Sequence, residues 1–319
     1  MLTKTKKPTK VNRFSDDLKN GIESYMCTDS EHISFIVWTP AHTTKSQGHT
    51  IIFNHGLQGH KEWFYKFGEK LSKSGYTVYA FDRLGSGKSS GIKGHIESWK
   101  SYTLTLDKMV QHARSEHPNN KISLWGSSYG GNIVTAYLQQ YQNCDEFEAA
   151  VLITPGPFRN KKELPLPFKR IKLYFSRNKR YFPSPVTDIE GDRGANFYTS
   201  KKKWQQKITN DPFSLRMMTR KFYLETNKMN RFIASKNSLK IKRFYLLVGR
   251  DSVMNNIKLL TYMRTNPSNT SYKIYRGGDD EKHVIEFTED SKEAISDITY
   301  FLNGDDKEIQ NIKVLLDGR

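Results

Sequence analysis

One short stretch limits the folds open to this chain more than anything else in it. Residues 121–131 read K-I-S-L-W-G-S-S-Y-G-G, an apolar run that enters a Gly/Ser cluster and continues into helix-forming sequence. To leave a strand, turn and start a helix within so few residues, the chain must bring backbone segments into close approach. Glycines at 126, 130 and 131 provide that room. The residue at the apex, Ser128, is then expected in a strained conformation that lifts its hydroxyl above the end of the sheet. A helix starting there aims unpaired backbone N–H groups and the positive end of its dipole at the same point. A strand with neighbours on both sides and a helix packed behind it is α/β architecture.

The rest of the chain alternates in the same way. Short β-rich runs fall at 22–26, 33–38, 50–54, 76–81, 121–125, 149–153, 243–248 and 271–275. Several are almost wholly apolar, as strands covered on both faces must be. Helical stretches fall at 60–73, 98–117, 129–141, 255–265 and 289–302, with Gly75, Pro118 and the Asn303-Gly304 pair as stops. Helices between strands predict crossover connections and a mostly parallel sheet of about eight strands. The first two runs, separated by only a short turn, predict an antiparallel hairpin at one edge.

Charge divides the chain further. Lys and Arg number 51 against 33 Asp and Glu, a net charge of +18. Residues 157–236 alone carry 20 Lys and Arg against 6 Asp and Glu, amid many aromatic residues and prolines. The expected organisation is a basic tail over 1–20, an α/β core over 21–156 and 237–319, and a basic, aromatic-rich insertion over 157–236. Anionic partners fit such a surface: an anionic membrane, an acidic carrier protein or nucleic acid. A recognisable nucleic-acid motif is missing, so nucleic acid is not the expected partner. No run of about 18 apolar residues offers a membrane span, and the basic start lacks the apolar core of a secretory signal. Cys27 and Cys144 make neither a disulfide framework nor a metal-ligand pattern. The expected location is the cytoplasm, with peripheral contact at the inner membrane surface.

A serine hydroxyl becomes a nucleophile when a base takes its proton. Of the nine histidines, only His283 follows Ser128; it lies in the polar segment G-G-D-D-E-K-H after the last strand. The imidazole in turn needs an acid, and Asp251 directly follows the strong strand R-F-Y-L-L-V-G-R-D. Groups that act in parallel sheets gather at the C-terminal ends of the strands. Asp279 and Asp280 are the alternatives. An oxyanion formed at Ser128 would need donors, and the N–H groups of Leu57, in the turn N-H-G-L-Q-G-H, and Tyr129 are the candidates. His55 is expected to hold the shape of that turn rather than to do chemistry.

These segments, taken in order, resemble the α/β-hydrolase superfamily, in the monoacylglycerol lipase and lysophospholipase branch also labelled serine aminopeptidase-like. The resemblance spans 33–302. It rests on N-H-G-L-Q-G-H (54–60), F-D-R-L-G-S-G-K-S (81–89), G-S-S-Y-G-G (126–131), N-D-P (210–212), L-L-V-G-R-D (246–251) and H-V-I-E-F (283–287). It implies a Ser128, Asp251 and His283 triad, oxyanion donors at Leu57 and Tyr129, and a structural role for Asp82. Ser127 and Tyr129 stand where the family's elbows commonly carry His and Met. The insertion becomes a helical cap, with Phe158, Leu166, Phe168, Leu173, Tyr174, Phe175, Trp204, Phe213, Met217 and Phe222 as the expected acyl-pocket residues. The implied activity is hydrolysis of a lipid carboxylic ester through an acyl-enzyme, without metal or organic cofactor. Alternatives are a thioesterase acting on carrier-bound acyl chains, an aminopeptidase, and a non-enzymatic binder of anionic partners.

Overall fold

The structure, a computed structural model, describes residues 21–27, 31–141, 146–158, 181–183, 195–235, 239–249, 254–265, 269–275, 282–288, 290–305 and 310–311. Its centre is one sheet, nine-stranded among the described residues. The edge hairpin pairs β1 (Gly21–Cys27) with β2 (His32–Trp38) antiparallel, and β2 pairs β4 (Thr77–Phe81) antiparallel. From β4 the sheet is parallel through β3 (His49–Asn54), β5 (Lys121–Ser127), β6 (Ala149–Ile153), β9 (Lys242–Val248) and β10 (Thr270–Tyr275). These eight strands are the ones the apolar pattern predicts. The ninth, β11 (Gln310–Asn311), is a two-residue antiparallel pairing with β10, too short to leave a pattern in the sequence.

The central strands read as unbroken apolar runs because both faces are covered. Helices α2 (Lys100–Glu116), α3 (Tyr129–Tyr141) and α6 (Asn256–Arg264) pack on one face, with Leu106, Ile133, Leu124 and Leu152 in a common core. On the other face lie α1 (Tyr65–Lys73) and α7 (Ser291–Asn303), where Phe53 stacks on Phe64 and Phe64 and Phe67 meet Trp125 edge-on. The helix expected over 60–73 is divided. Residues Lys61–Phe64 form a 3-10 turn, and the α-helix begins at Tyr65.

That 3-10 turn is held by buried charge. Asp82, just past β4, accepts hydrogen bonds from the Lys61 N–H (2.7 Å), the Lys61 ammonium (2.8 Å) and the Lys88 N–H (2.8 Å). Lys61 also pairs with Glu23 at 3.1 Å, and Lys88 with Glu23 and Glu62 at 2.8 Å each. Burial alone would raise the Asp82 pKa, but the Lys61 ammonium holds it well below the usual carboxylate range. This matches the structural role that the resemblance implies for Asp82.

The insertion between β6 and β9 holds, among its described residues, α4 (Lys202–Thr209), α5 (Arg220–Ser235) and a small ribbon of β7 (Tyr181–Pro183) with β8 (Met217–Thr219). A helical segment was expected; the ribbon was not. The N-D-P turn is its fastening point. Asp211 is buried and accepts from His60 Nε2 (2.8 Å), Trp63 Nε1 (2.7 Å), the Ser214 hydroxyl (3.0 Å) and the Phe213 N–H (2.9 Å). Leu215 and Gln58 add a reciprocal pair of bonds at 3.0 and 3.1 Å. The insertion is therefore tied directly to the turn that follows β3.

Because Asp82 is an ionised carboxyl compensated by a buried ammonium, removing its charge strands Lys61. Asp82→Asn is expected to cost about 3–5 kcal/mol, read from urea denaturation at neutral pH. Its folded pKa is depressed, so the contribution is complete above the unfolded value of about 3.9 and is lost as pH falls toward the folded one. The gap between wild type and variant should therefore narrow in acid.

Candidate active site

The junction of β5 and α3 is built by exclusion of side chains. A Cβ at Gly130 would lie 2.0 Å from the Asn54 carbonyl oxygen, and one at Gly126 would lie 2.5 Å from the Gly130 backbone. Ser128 sits between them at φ 50°, a left-handed conformation that costs a non-glycine residue roughly 1–3 kcal/mol. Hydrogen bonds hold it there: its N–H donates to the Ile153 carbonyl at 2.7 Å, and its own carbonyl accepts from Gly131 N–H at 3.0 Å. The expected apex strain is present.

His283 reaches this serine from the loop beyond β10, with Nε2 2.8 Å from Ser128 Oγ. The ring lies against Phe197, centroid to centroid 5.1 Å. The backbone of His283 is pinned as well, its carbonyl accepting from the Thr154 hydroxyl at 3.2 Å. Thr154 is itself at φ 39°, and its N–H bonds the Leu246 carbonyl at 2.8 Å. A β-branched residue at positive φ carries no local sequence signal, so Thr154 could not be singled out beforehand. Asp251, Asp279 and Asp280 lie outside the described residues. Strands β9 and β10 do end side by side, Gly249 N–H donating to the Tyr275 carbonyl at 3.1 Å.

The turn after β3 runs beside the serine: a Cβ at Gly56 would come within 3.7 Å of Ser128 Cβ. Its carbonyls point away, toward a fully buried Arg83. The guanidinium donates to the carbonyls of His55, Gly56 (3.0 Å) and Leu57 (3.3 Å) and lies over the rings of Tyr102 and Tyr129. His55 fills the remaining space as a neutral ring, Nδ1 donating to the Gly56 carbonyl at 2.8 Å and Nε2 accepting from Arg83 N–H at 3.3 Å. Burial and the Arg83 charge depress its pKa far below the usual histidine value. His55 thus has the shape-holding place expected for it. Arg83 was not anticipated, although D-R-L-G-S-G-K-S in the sequence marks it.

Tyr129 opens α3. Its ring stacks on Phe222, and its hydroxyl meets the Thr226 hydroxyl at 3.0 Å, so its side chain faces α5. The cavity at the site is bounded by the turn at 55–59, Ser127, Ser128, Tyr129, Asn132, Trp63, Met254, Phe197, Tyr198, His283, Val284, Glu286 and Phe287. Among the described residues of the insertion Phe197 and Tyr198 line it, which corrects the expectation for Trp204, Met217 and Phe222; Leu166, Phe168, Leu173, Tyr174 and Phe175 lie outside the described residues. Trp204 lies one layer behind, stacked on Phe287, while Phe222 is in the core and Met217 is exposed. Apolar residues in a compositionally uniform insertion carry no sign of which face meets the cavity.

A strained serine between crowding glycines, a histidine at hydrogen-bond distance and a glycine turn alongside, on this sheet order, define an α/β-hydrolase. Comparison with known proteins agrees. The family model described as serine aminopeptidase, S33 (Hydrolase_4) matches residues 45–282. The chain belongs to that family. A monoacylglycerol lipase from Mycolicibacterium smegmatis is 31% identical over 124 residues, 39% of this chain and 42% of that protein, so the match spans less than half of the relative. Phospholipase YtpA from Bacillus subtilis is 22% identical over 253 residues, 77% of this chain and 91% of that one. A soluble variant of monoglyceride lipase from Saccharomyces cerevisiae, solved with a substrate analog, superposes with TM-score 0.75 at 16% identity, covering 93% of this chain and 98% of that one.

Arg83 holds three consecutive carbonyls with one planar fork, which an ammonium cannot do. Arg83→Lys is expected to lower the rate of Ser128 modification by a fluorophosphonate about 10–100-fold while the protein stays folded by circular dichroism.

Proposed function

We propose that this chain is a serine ester hydrolase acting on lipid esters, with Ser128 as nucleophile, His283 as base and Asp251 as the acid that orients it. The observation that carries this reading is the 2.8 Å contact between His283 Nε2 and the hydroxyl of a strained Ser128. In the proposed cycle His283 accepts the Ser128 proton as Oγ attacks the ester carbonyl, forming a tetrahedral oxyanion. The N–H groups of Leu57 and Tyr129 receive that oxyanion. His283 then gives the proton to the departing alcohol, leaving an acyl ester on Ser128. Water, deprotonated by the same imidazole, attacks this ester, and collapse returns the carboxylic acid and free Ser128. Apolar walls from Trp63, Phe197, Tyr198 and Phe287 suit an acyl chain.

The basic character of the insertion supports an anionic surface as the place of work. Lys66 on α1 feels the charges of Lys70 on the same helix and of Lys201, Lys203 and Lys207 at α4. The pKa of Lys66 is lowered by burial and by these four ammonium groups. Lys66 Nζ lies 4.1 Å from the centre of the Trp204 ring, which stacks on the cavity wall at Phe287. A concentrated positive field one aromatic layer from the site would draw the protein onto anionic lipid and place the cavity at the interface. Among the described residues no helix is long and apolar enough to cross a membrane.

Labelling with a fluorophosphonate followed by substrate assays tests the reading. Ser128→Ala should abolish labelling and hydrolysis of monoacylglycerol, and Asp251→Asn should slow turnover by about 10⁴-fold in a folded protein. Labelling that survives Ser128→Ala identifies another nucleophile, and an active Asp251→Asn moves the acid to Asp279 or Asp280. The surface is tested separately: Lys70→Glu with Lys203→Glu should weaken co-sedimentation with anionic vesicles at low salt by roughly tenfold or more. Equal sedimentation with neutral vesicles would sink the electrostatic part.

A further inference from the structure

Three half-buried lysines of this protein rest on oxygen acceptors. Lys88 has Glu23 and Glu62, Lys273 has Glu293 and Asp297, and Lys93 donates to the carbonyls of Ser86, Gly87 and Ser89. Lys66, also half-buried, has no carboxylate or carbonyl partner among the described residues. Its ammonium lies instead over the buried Trp204 ring, 4.1 Å from the centroid, and Lys207 lies over the same ring at 5.4 Å. Burial, and after it the charges of Lys201, Lys70, Lys203 and Lys207, hold the Lys66 pKa down. An aromatic face compensates a desolvated cation far less than an anion does. Like charges gathered this closely repel, and one multivalent anion among them relieves every pair at once.

The donors select the anion. An ammonium binds as a compact point charge with three rotatable donors, so it favours charge density over the planar match that a carboxylate makes with a guanidinium. A phosphate monoester brings a charge of about −1.5 to −2 at neutral pH and three strong acceptor oxygens. A phosphodiester has a single charge, and a carboxylate has its oxygens in one plane.

We propose that Lys66, Lys70, Lys201, Lys203 and Lys207, around Trp204, form a binding site for a phosphate monoester, separate from the catalytic cavity. None of the five lysines lines that cavity, yet Trp204 stacks on its wall at Phe287, ring centroids 5.0 Å apart. Bound phosphate and entering substrate would therefore share one aromatic partition. The site deepens the anionic working surface proposed above and rests on that reading of the lysine field, but it specifies one chemical group in place of negative charge in general. Two sources carry the group: a lipid headgroup ending in phosphate, or a free phosphorylated compound.

Isothermal titration of the full chain with inorganic phosphate at fixed ionic strength should show saturable binding at one site. Lys66→Gln should weaken it by roughly tenfold or more. The exposed pair Lys70→Gln with Lys203→Gln should do the same, which keeps the proposal testable if Lys66→Gln does not fold. Lys258→Gln, which removes a like charge from the exposed face of α6, should change the affinity by less than about twofold. Phosphatidylcholine vesicles carrying phosphatidate, or an equal charge as phosphatidylglycerol, then separate the sources. A preference for phosphatidate that Lys66→Gln abolishes assigns a lipid headgroup; phosphate binding without that preference assigns a free phosphate monoester. Equal binding to both vesicles with no binding of inorganic phosphate would keep the anionic surface and overturn the discrete site. Phosphate binding that neither lysine variant weakens would put the ion elsewhere and overturn it too. Phosphate binding without vesicle binding would discard the membrane reading and leave the site standing.

Discussion

Backbone crowding at the end of β5 is the constraint from which the site follows. Where Gly130 passes Asn54 there is no space for a single methyl group, and Gly126 packs equally tightly on the first turn of α3. These contacts bring the turn after β3, the serine and the start of α3 to one point. They also leave Ser128 in a left-handed conformation that an unconstrained chain would abandon. The strain persists because the surrounding parallel strands and their two covering helix layers leave the segment no alternative.

A second layer of buried polar groups translates that crowding into a shaped cavity. Arg83 gathers the carbonyls of the turn after β3, His55 completes the set as a neutral ring, and Asp82 with Lys61 anchors the 3-10 turn behind it. The insertion is then fastened to the same turn through Asp211 on His60 and Trp63. Core and insertion therefore share one rigid loop. In a low-dielectric interior such charges hold position only when paired, which explains the density of partners around each of them.

Much of this was legible in the linear chain, for identifiable reasons. Period and composition located the eight principal strands, because strands buried on both faces must be apolar throughout. The G-S-S-Y-G-G run located the elbow, because close approach restricts both flanking positions to glycine. Chain order singled out His283, whose Nε2 lies 2.8 Å from Ser128 Oγ. Part of the expected cavity lining lies elsewhere: among the described residues of the insertion Phe197 and Tyr198 line the cavity, while Trp204, Met217 and Phe222 lie behind, outside or in the core. Arg83 and Thr154 went unremarked, the first within a motif read only for Asp82, the second at a backbone angle its side chain does not advertise.

The division has a physical basis. Local sequence decides what local forces decide: where glycine is the only residue that fits, which runs are apolar on both faces, where helices begin and stop, and where charge accumulates. Tertiary structure alone decided which distant side chains meet: Arg83 with three carbonyls of the loop, Thr154 beneath His283, Asp211 on His60, and Phe197 against the imidazole. Those pairings depend on how layers stack around the sheet, and contacts between residues far apart in the chain leave no mark in the spacing of either partner.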